Sequence, residues 1–268
     1  MTAIGRMVRR GLGAIAAALS VLLAGAAAAA DAPLVAAAAD LRFALAEIAE
    51  RFRRDVGAAV RLVFGSSGNF ARQIRQGAPF ALFLSADEAY VLDLARDGFT
   101  RDEGTLYAIG RLVLMVPNGS PLALDGTLAD LARAVRDGRL RRFAIANPEH
   151  APYGKRAEEV LRYKGIWEEI RPFLVYGENV AQAAQFATSG NAEGGIVAYS
   201  LALSPQLEAL GGHAPIPAEW HTPLRQRMVR LRGAGPVADR FYRYLQEEPA
   251  RAVFRRYGFV LPGEPATE

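Results

Sequence analysis

Two serines flanked by glycines, in "FGSSGNFARQI" from Phe64 to Ile74, follow an apolar run and open what reads as a helix. Hydroxyls and unpaired N–H groups at a helix start suit an anion, yet no lysine follows in the way a nucleotide-binding P-loop requires. Three further segments place small or polar residues ahead of helical patterns: Ala39-Asp40, "NPEHAPYG" with Tyr153, and "YGENV" with Val180. In an open α/β sheet, ligands bind beyond the carboxyl ends of strands, where helix N-termini point their free N–H groups. Several such starts converging would hold an anion by backbone dipoles and hydroxyls alone. Each residue also has a plainer role. Ser67 and Asp40 are ordinary N-cap types, Tyr153 after Pro152 can pack a turn, and Val180 alone carries no signal; only the joint arrangement points to a site.

Other chemistries find less support. "GSSG" is not the G-x-S-x-G nucleophile elbow, and a hydrolase would need a base against Ser66 or Ser67 that the sequence does not nominate. His150, His213 and His221 form no H-E-x-x-H and no i, i+4 pair for zinc. His150 lies in "PEHAPYG", near the expected site, but a lone loop histidine reads as solvated. The chain has no cysteine, which excludes disulfides and thiolate metal sites. No catalytic residue, no bare metal ion and no cofactor is expected.

The elements that must position these residues alternate. "APLVAAAA" reads as a strand, and "LRFALAEIAERFRRD" sets Leu41, Leu45, Ile48 and Phe52 on one helical face. "AAVRLVF" and "FALFLSA" are further strands, and Ser85 to Glu88 fits a capping box. A second block runs through "YAIGRLVLMVPNGS", "TLADLARAVRDG", "RRFAIAN", "KRAEEVLRYKG", "FLVYG", "NVAQAAQFATSG" and "GGIVAYS". The Pro-rich "GGHAPIPAEWHTPLRQ" then reads as a long connection returning to the strand "RMVRLRG" and two final helices. Repeated βαβ units predict mainly parallel sheets flanked by helices.

The first thirty residues carry Arg6, Arg9 and Arg10, an apolar run too short for a comfortable membrane span, and alanines suited to cleavage. They read as a secretory signal peptide, in preference to an uncleaved anchor. That segment holds three of the 32 basic residues and none of the 28 acidic ones, so the remainder carries +1. Its arginines are interleaved with Asp and Glu, which argues against nucleic acid. The remaining 238 of 268 residues suffice for one large or two ordinary α/β domains.

The blocks "GSSGNFARQIRQGAPFALFLSADE", "YAIGRLVLMVP", "NPEHAPYG", "GGIVA" and "FRRYGFVLP" resemble, in order and over nearly the whole chain after residue 30, the periplasmic molybdate-binding proteins of ABC importers. The resemblance implies a type II periplasmic binding-protein fold: two α/β lobes, each a mainly parallel sheet flanked by helices, joined by two crossing strands. Lobe 1 would comprise residues 31–112 and 225–268, and lobe 2 residues 113–224. It implies a monomer in the periplasm that closes over a tetrahedral oxyanion, molybdate or tungstate, and delivers it to a membrane permease driven by a cytoplasmic ATPase. Carried over by motif, Ser67 would supply its hydroxyl and N–H, Val180 its N–H and Tyr153 its phenol. Ala39, Asp40 and Ser66 complete the expected ligand set. In another branch of that family a tyrosine follows "GIV"; here the place is Ala198, with Tyr199 one residue later.

The first loop departs from the family, which has Ser, Thr or Asn where this chain has Ala39 and Asp40. Two unit charges ~4 Å apart repel by about 4 kcal/mol at an effective dielectric of 20, more than one helix terminus returns. Three readings follow. Asp40 caps its own helix and turns its carboxylate away, or it accepts a bond from a protonated, phosphate-like oxyanion, or the ligand is not a dianion. The first is preferred because Asp is a good N-cap.

Overall fold

Apolar runs that alternate with amphipathic stretches build two five-stranded sheets in the computed structural model, which describes residues 32–264. The expected signal peptide, residues 1–30, lies outside the described residues. The first sheet begins with β1 (Leu34–Ala38), a 3-10 turn (Ala39–Leu41) and helix α1 (Arg42–Val56). Then follow β2 (Arg61–Gly65), α2 (Ser67–Arg75), β3 (Phe80–Ser85), α3 (Glu88–Arg96) and β4 (Thr105–Gly110). After Arg111 the chain enters the second sheet through β5 (Leu112–Pro117), α4 (Ala129–Asp137), β6 (Phe143–Ala146) and α5 (Pro152–Tyr163). It continues with β7 (Leu174–Gly177), α6 (Val180–Thr188), β8 (Gly194–Ala198) and β9 (Gly211–Pro215), then returns with β10 (Leu224–Arg230), α7 (Pro236–Tyr244) and α8 (Glu248–Arg256).

The strand orders are β2-β1-β3-β10-β4 and β7-β6-β8-β5-β9. In the first, β1 is parallel to β2 and β3, whereas β10 is antiparallel to β3 and β4. In the second, β6 is parallel to β7 and β8, whereas β5 is antiparallel to β8 and β9. Each sheet therefore has one strand running against the other four. That strand is the one reached by crossing from the other sheet. The architecture is the two-lobed α/β fold that the resemblance implies.

Packing follows the helical period. Leu45, Ile48 and Phe52 of α1 are fully buried, and Phe52 meets Phe241 and Tyr244 edge-on at 5.0 and 5.4 Å. Such pairs add to the area term that drives burial. Two local expectations need correction. The cap of α3 is Asp87, whose carboxylate accepts from Ala89 N–H at 3.0 Å, because Ser85 Oγ is engaged with the backbone of Asp87 and Glu88 turns to Arg225 and Arg227. The passage read as a long connection contains β9, which pairs along β5 from Val113 to Pro117. Gly and Pro are tolerated there because β9 is an edge strand.

Candidate functional site

Ala39, Asp40, Ser66, Ser67, Tyr153 and Val180 all line one small cavity between the two sheets. Four chain segments deliver them, each leaving the carboxyl end of a strand and turning into a helix: the turn after β1, the start of α2 after β2, the start of α5, and the start of α6 after β7. At the first three, no side chain caps the first turn. At α6, Asn179 accepts from Ala181 and Gln182 N–H, one step past Val180. The cavity thus collects the positive ends of several helices, and no lysine or arginine lines it.

The hydroxyls divide by what already holds them. Ser67 is fully buried, and its Oγ accepts from Ala86 N–H at 3.0 Å. Its own proton is therefore free to point elsewhere, and a hydroxyl so oriented is a donor. Ser66 Oγ instead lies 2.9 Å from His150 Nδ1. Tyr153, expected to offer a free phenol, donates to Asp40 Oδ2 at 3.0 Å.

Asp40 does not cap its helix. Neither the 3-10 turn nor α1 has a side-chain cap, and the carboxylate, on a residue only 1% exposed, turns toward Tyr153 and Gln226. Oδ2 accepts from Tyr153 and from Gln226 Nε2, the latter at 2.6 Å. Gln226 is oriented in turn by Tyr107, whose hydroxyl donates to Oε1 at 2.7 Å. Oδ1 is buried without a partner. The capping expectation fails because two donors from other elements, the Tyr153 hydroxyl and the Gln226 amide, draw Oδ2 away from the turn. Burial outweighs these bonds and pushes the Asp40 carboxyl up to about 6. Burial likewise raises the phenols of Tyr107 and Tyr153 well above their ordinary value, with Asp40's charge as the next cause.

The two halves meet around the cavity. Gly68 N–H donates to His150 O at 3.0 Å, Ser200 Oγ to Asp40 O at 2.8 Å, and Arg156 to Asp87 at 2.9 Å. Asn69 donates to Glu178 at the rim. His150 is not the solvated loop histidine its sequence suggested: it is 8% exposed and faces Ser66 across the cleft. Its Nε2 is 3.6 Å from Glu178 Oε2, too far for a hydrogen bond. Gly68 permits this approach, since a Cβ there would sit 2.7 Å from His150 O.

Sequence reasoning missed Gln226, Tyr107 and Ala86. Gln226 had a signal: along β10 its neighbours two residues away, Leu224 and Met228, are buried core residues, so a polar side chain occupies an inward position. Among the described residues, no cluster of His, Asp and Glu could hold a metal ion.

Comparison with known proteins bears on the family and the fold. The chain is 35% identical over 264 residues to the molybdate-binding protein ModA of Rhodobacter capsulatus, covering 97% of this chain and 99% of that one. It is 35% identical to the ModA of Azotobacter vinelandii over 85% of this chain and 89% of the relative. The solved periplasmic molybdate-binding protein of Azotobacter vinelandii superposes with a TM-score of 0.78 at 30% identity, over 86% of this chain and 99% of that structure. The sequence profile of bacterial extracellular solute-binding proteins matches residues 33–260, and the chain belongs to that family.

Proposed function

We propose that this protein is the periplasmic binding component of an ABC importer and that its cargo is a tetrahedral oxyanion, molybdate or tungstate. The observation that carries this reading is a single cavity fed by four helix starts, with the Ser67 hydroxyl proton uncommitted and no cationic side chain in its lining. Backbone N–H groups and dipoles favour an anion there, and the names of the relatives identify molybdate as what those proteins bind. Ser67 would give its hydroxyl and N–H, while Ala39 and Val180 would give N–H groups.

The cycle follows from the two-sheet design. One lobe is built on the sheet of β1 to β4 with β10 and the other on the sheet of β5 to β9. The open protein admits a hydrated ion, exchanges its water for N–H and O–H donors, and closes through contacts such as Gly68 to His150. The closed form is what the permease and its ATPase engage. Among the described residues no helix is long and apolar enough to cross a membrane. Residues 1–30 act as the export signal, and the released protein works as a monomer without a cofactor and without catalysis.

Calorimetry of the protein lacking residues 1–30 against molybdate, tungstate, sulfate and phosphate tests the reading. Micromolar or tighter binding of molybdate or tungstate with none of phosphate is expected. Silence toward all four would sink it.

A further inference from the structure

Asp40 is the one side chain lining this cavity that brings a negative charge to an anion site. Its surroundings are specific. Oδ2 takes two donors, the Tyr153 hydroxyl and the Gln226 amide, and the amide is fixed by Tyr107. Oδ1 takes none, although it is out of contact with solvent. The groups around this carboxyl are neutral: the Tyr153 hydroxyl from α5, the Gln226 amide from β10 with Tyr107 from β4 behind it, and the backbone N–H groups of Asp40 and Leu41 in the turn itself, while Ser200 from the helical turn Tyr199–Ala202 bonds the backbone oxygen. His150, behind the cavity wall, is engaged with Ser66. A buried carboxylate with no cation beside it is relieved by taking a proton. Because both donors converge on Oδ2, the proton belongs on Oδ1.

Resting on the oxyanion reading above, we propose that Asp40 serves the site as a neutral hydrogen-bond donor. It holds a proton on Oδ1 and directs it at an oxygen of the bound dianion, so that capture of the ion takes up one proton from solution. The carboxyl then performs the task that a side-chain amide would, with Oδ2 as the accepting end and Oδ1–H as the donating end. Tyr153 and Gln226 are positioning residues: by occupying Oδ2 they choose which oxygen carries the proton. Burial already holds the carboxyl near its half-protonated point at about pH 6, and an incoming dianion favours the neutral form further. The cargo remains fully deprotonated, which distinguishes this arrangement from recognition of a protonated, phosphate-like ion.

The test is calorimetric titration with molybdate between about pH 6 and about pH 8, in two buffers of different ionisation heat, for the wild type and Asp40→Asn. For the wild type, affinity should fall as pH rises above about 6, by up to roughly tenfold per pH unit, with proton uptake rising from about half a proton per ion at about pH 6 to about one at about pH 8. Asp40→Asn fixes the same donor and acceptor pattern without a titration. It should bind with flat pH dependence and no proton uptake, and at about pH 8 at least as tightly as the wild type. Wild-type binding that is flat with pH and releases or takes up no proton would overturn the inference and leave the oxyanion reading standing. A folded Asp40→Asn that has lost molybdate at every pH would overturn it too, since Asp40 would then be an acceptor. Silence of both proteins at every pH would overturn the oxyanion reading itself. Should Asp40→Asn fail to fold, the wild-type proton count alone decides.

Discussion

Two buried oxygens, one hydroxyl and one carboxyl, decide the character of the cavity. Ser67 Oγ spends its acceptor side on Ala86 N–H and keeps its proton. Hydrogen bonds to charged partners contribute about 1.5–3 kcal/mol, so Ser67→Ala should weaken molybdate binding by roughly 10- to 100-fold in calorimetry, and because it orphans the buried Ala86 N–H it should also lower stability by about 1–3 kcal/mol in denaturation. Asp40 works against stability in the ligand-free protein. Its folded carboxyl is raised to about 6 from an ordinary value of 3.8, so the unfolded chain ionises first. Stability attached to this group is therefore full below about pH 4 and is lost as pH rises through about 6. The difference is about 3 kcal/mol. Ligand-free Asp40→Asn should accordingly unfold at a higher temperature than the wild type at about pH 8, an advantage that disappears by about pH 4. That Asp40 belongs to the first loop was readable from the chain. Where its carboxylate points was not, because the residue that captures it, Gln226, lies 186 positions away on a strand of the same sheet.

At the scale of elements, period and punctuation carried most of the fold. The apolar stripe of α1 and the alternating blocks after it are local patterns, and the structure places helices and strands on them. β9 escaped because "GGHAP" has no strand character of its own; it is extended only because β5 offers an unpaired edge. Caps were partly legible. Asn179 opens α6 as its type suggests, whereas the α3 cap moved from Ser85 to Asp87 once Ser85 was taken by the backbone. Asn179→Ala removes acceptors for two N–H groups and should cost about 1 kcal/mol in chemical denaturation. Because Val180 is the first residue of that helix, the same change should also loosen its N–H at the cavity. A measurable loss of molybdate affinity beyond the stability effect would follow.

Over the whole molecule, the two halves meet backbone to backbone across the cleft at Gly68 and His150, the contact on which the proposed closure rests. An alanine at position 68 suits a helix better than glycine by about 0.5–1 kcal/mol, but its Cβ would lie 2.7 Å from His150 O. Gly68→Ala should therefore leave the melting temperature unchanged or higher while weakening molybdate by roughly tenfold or more. Small-angle scattering should find it more open than the wild type at saturating ligand. A variant as compact and as tight as the wild type would refute this role for the contact. Gly110, which ends β4 just before the Arg111 crossing, has a neighbourhood of another kind. A Cβ there would lie 2.2 Å from the Tyr153 hydroxyl and 2.8 Å from Gln226 Nε2. The crossing between the two halves thus runs beside the floor of the binding chamber. A swing at that joint would drag on the two groups proposed to steer the Asp40 proton, and letting the ion go and letting the proton go would then become one mechanical act.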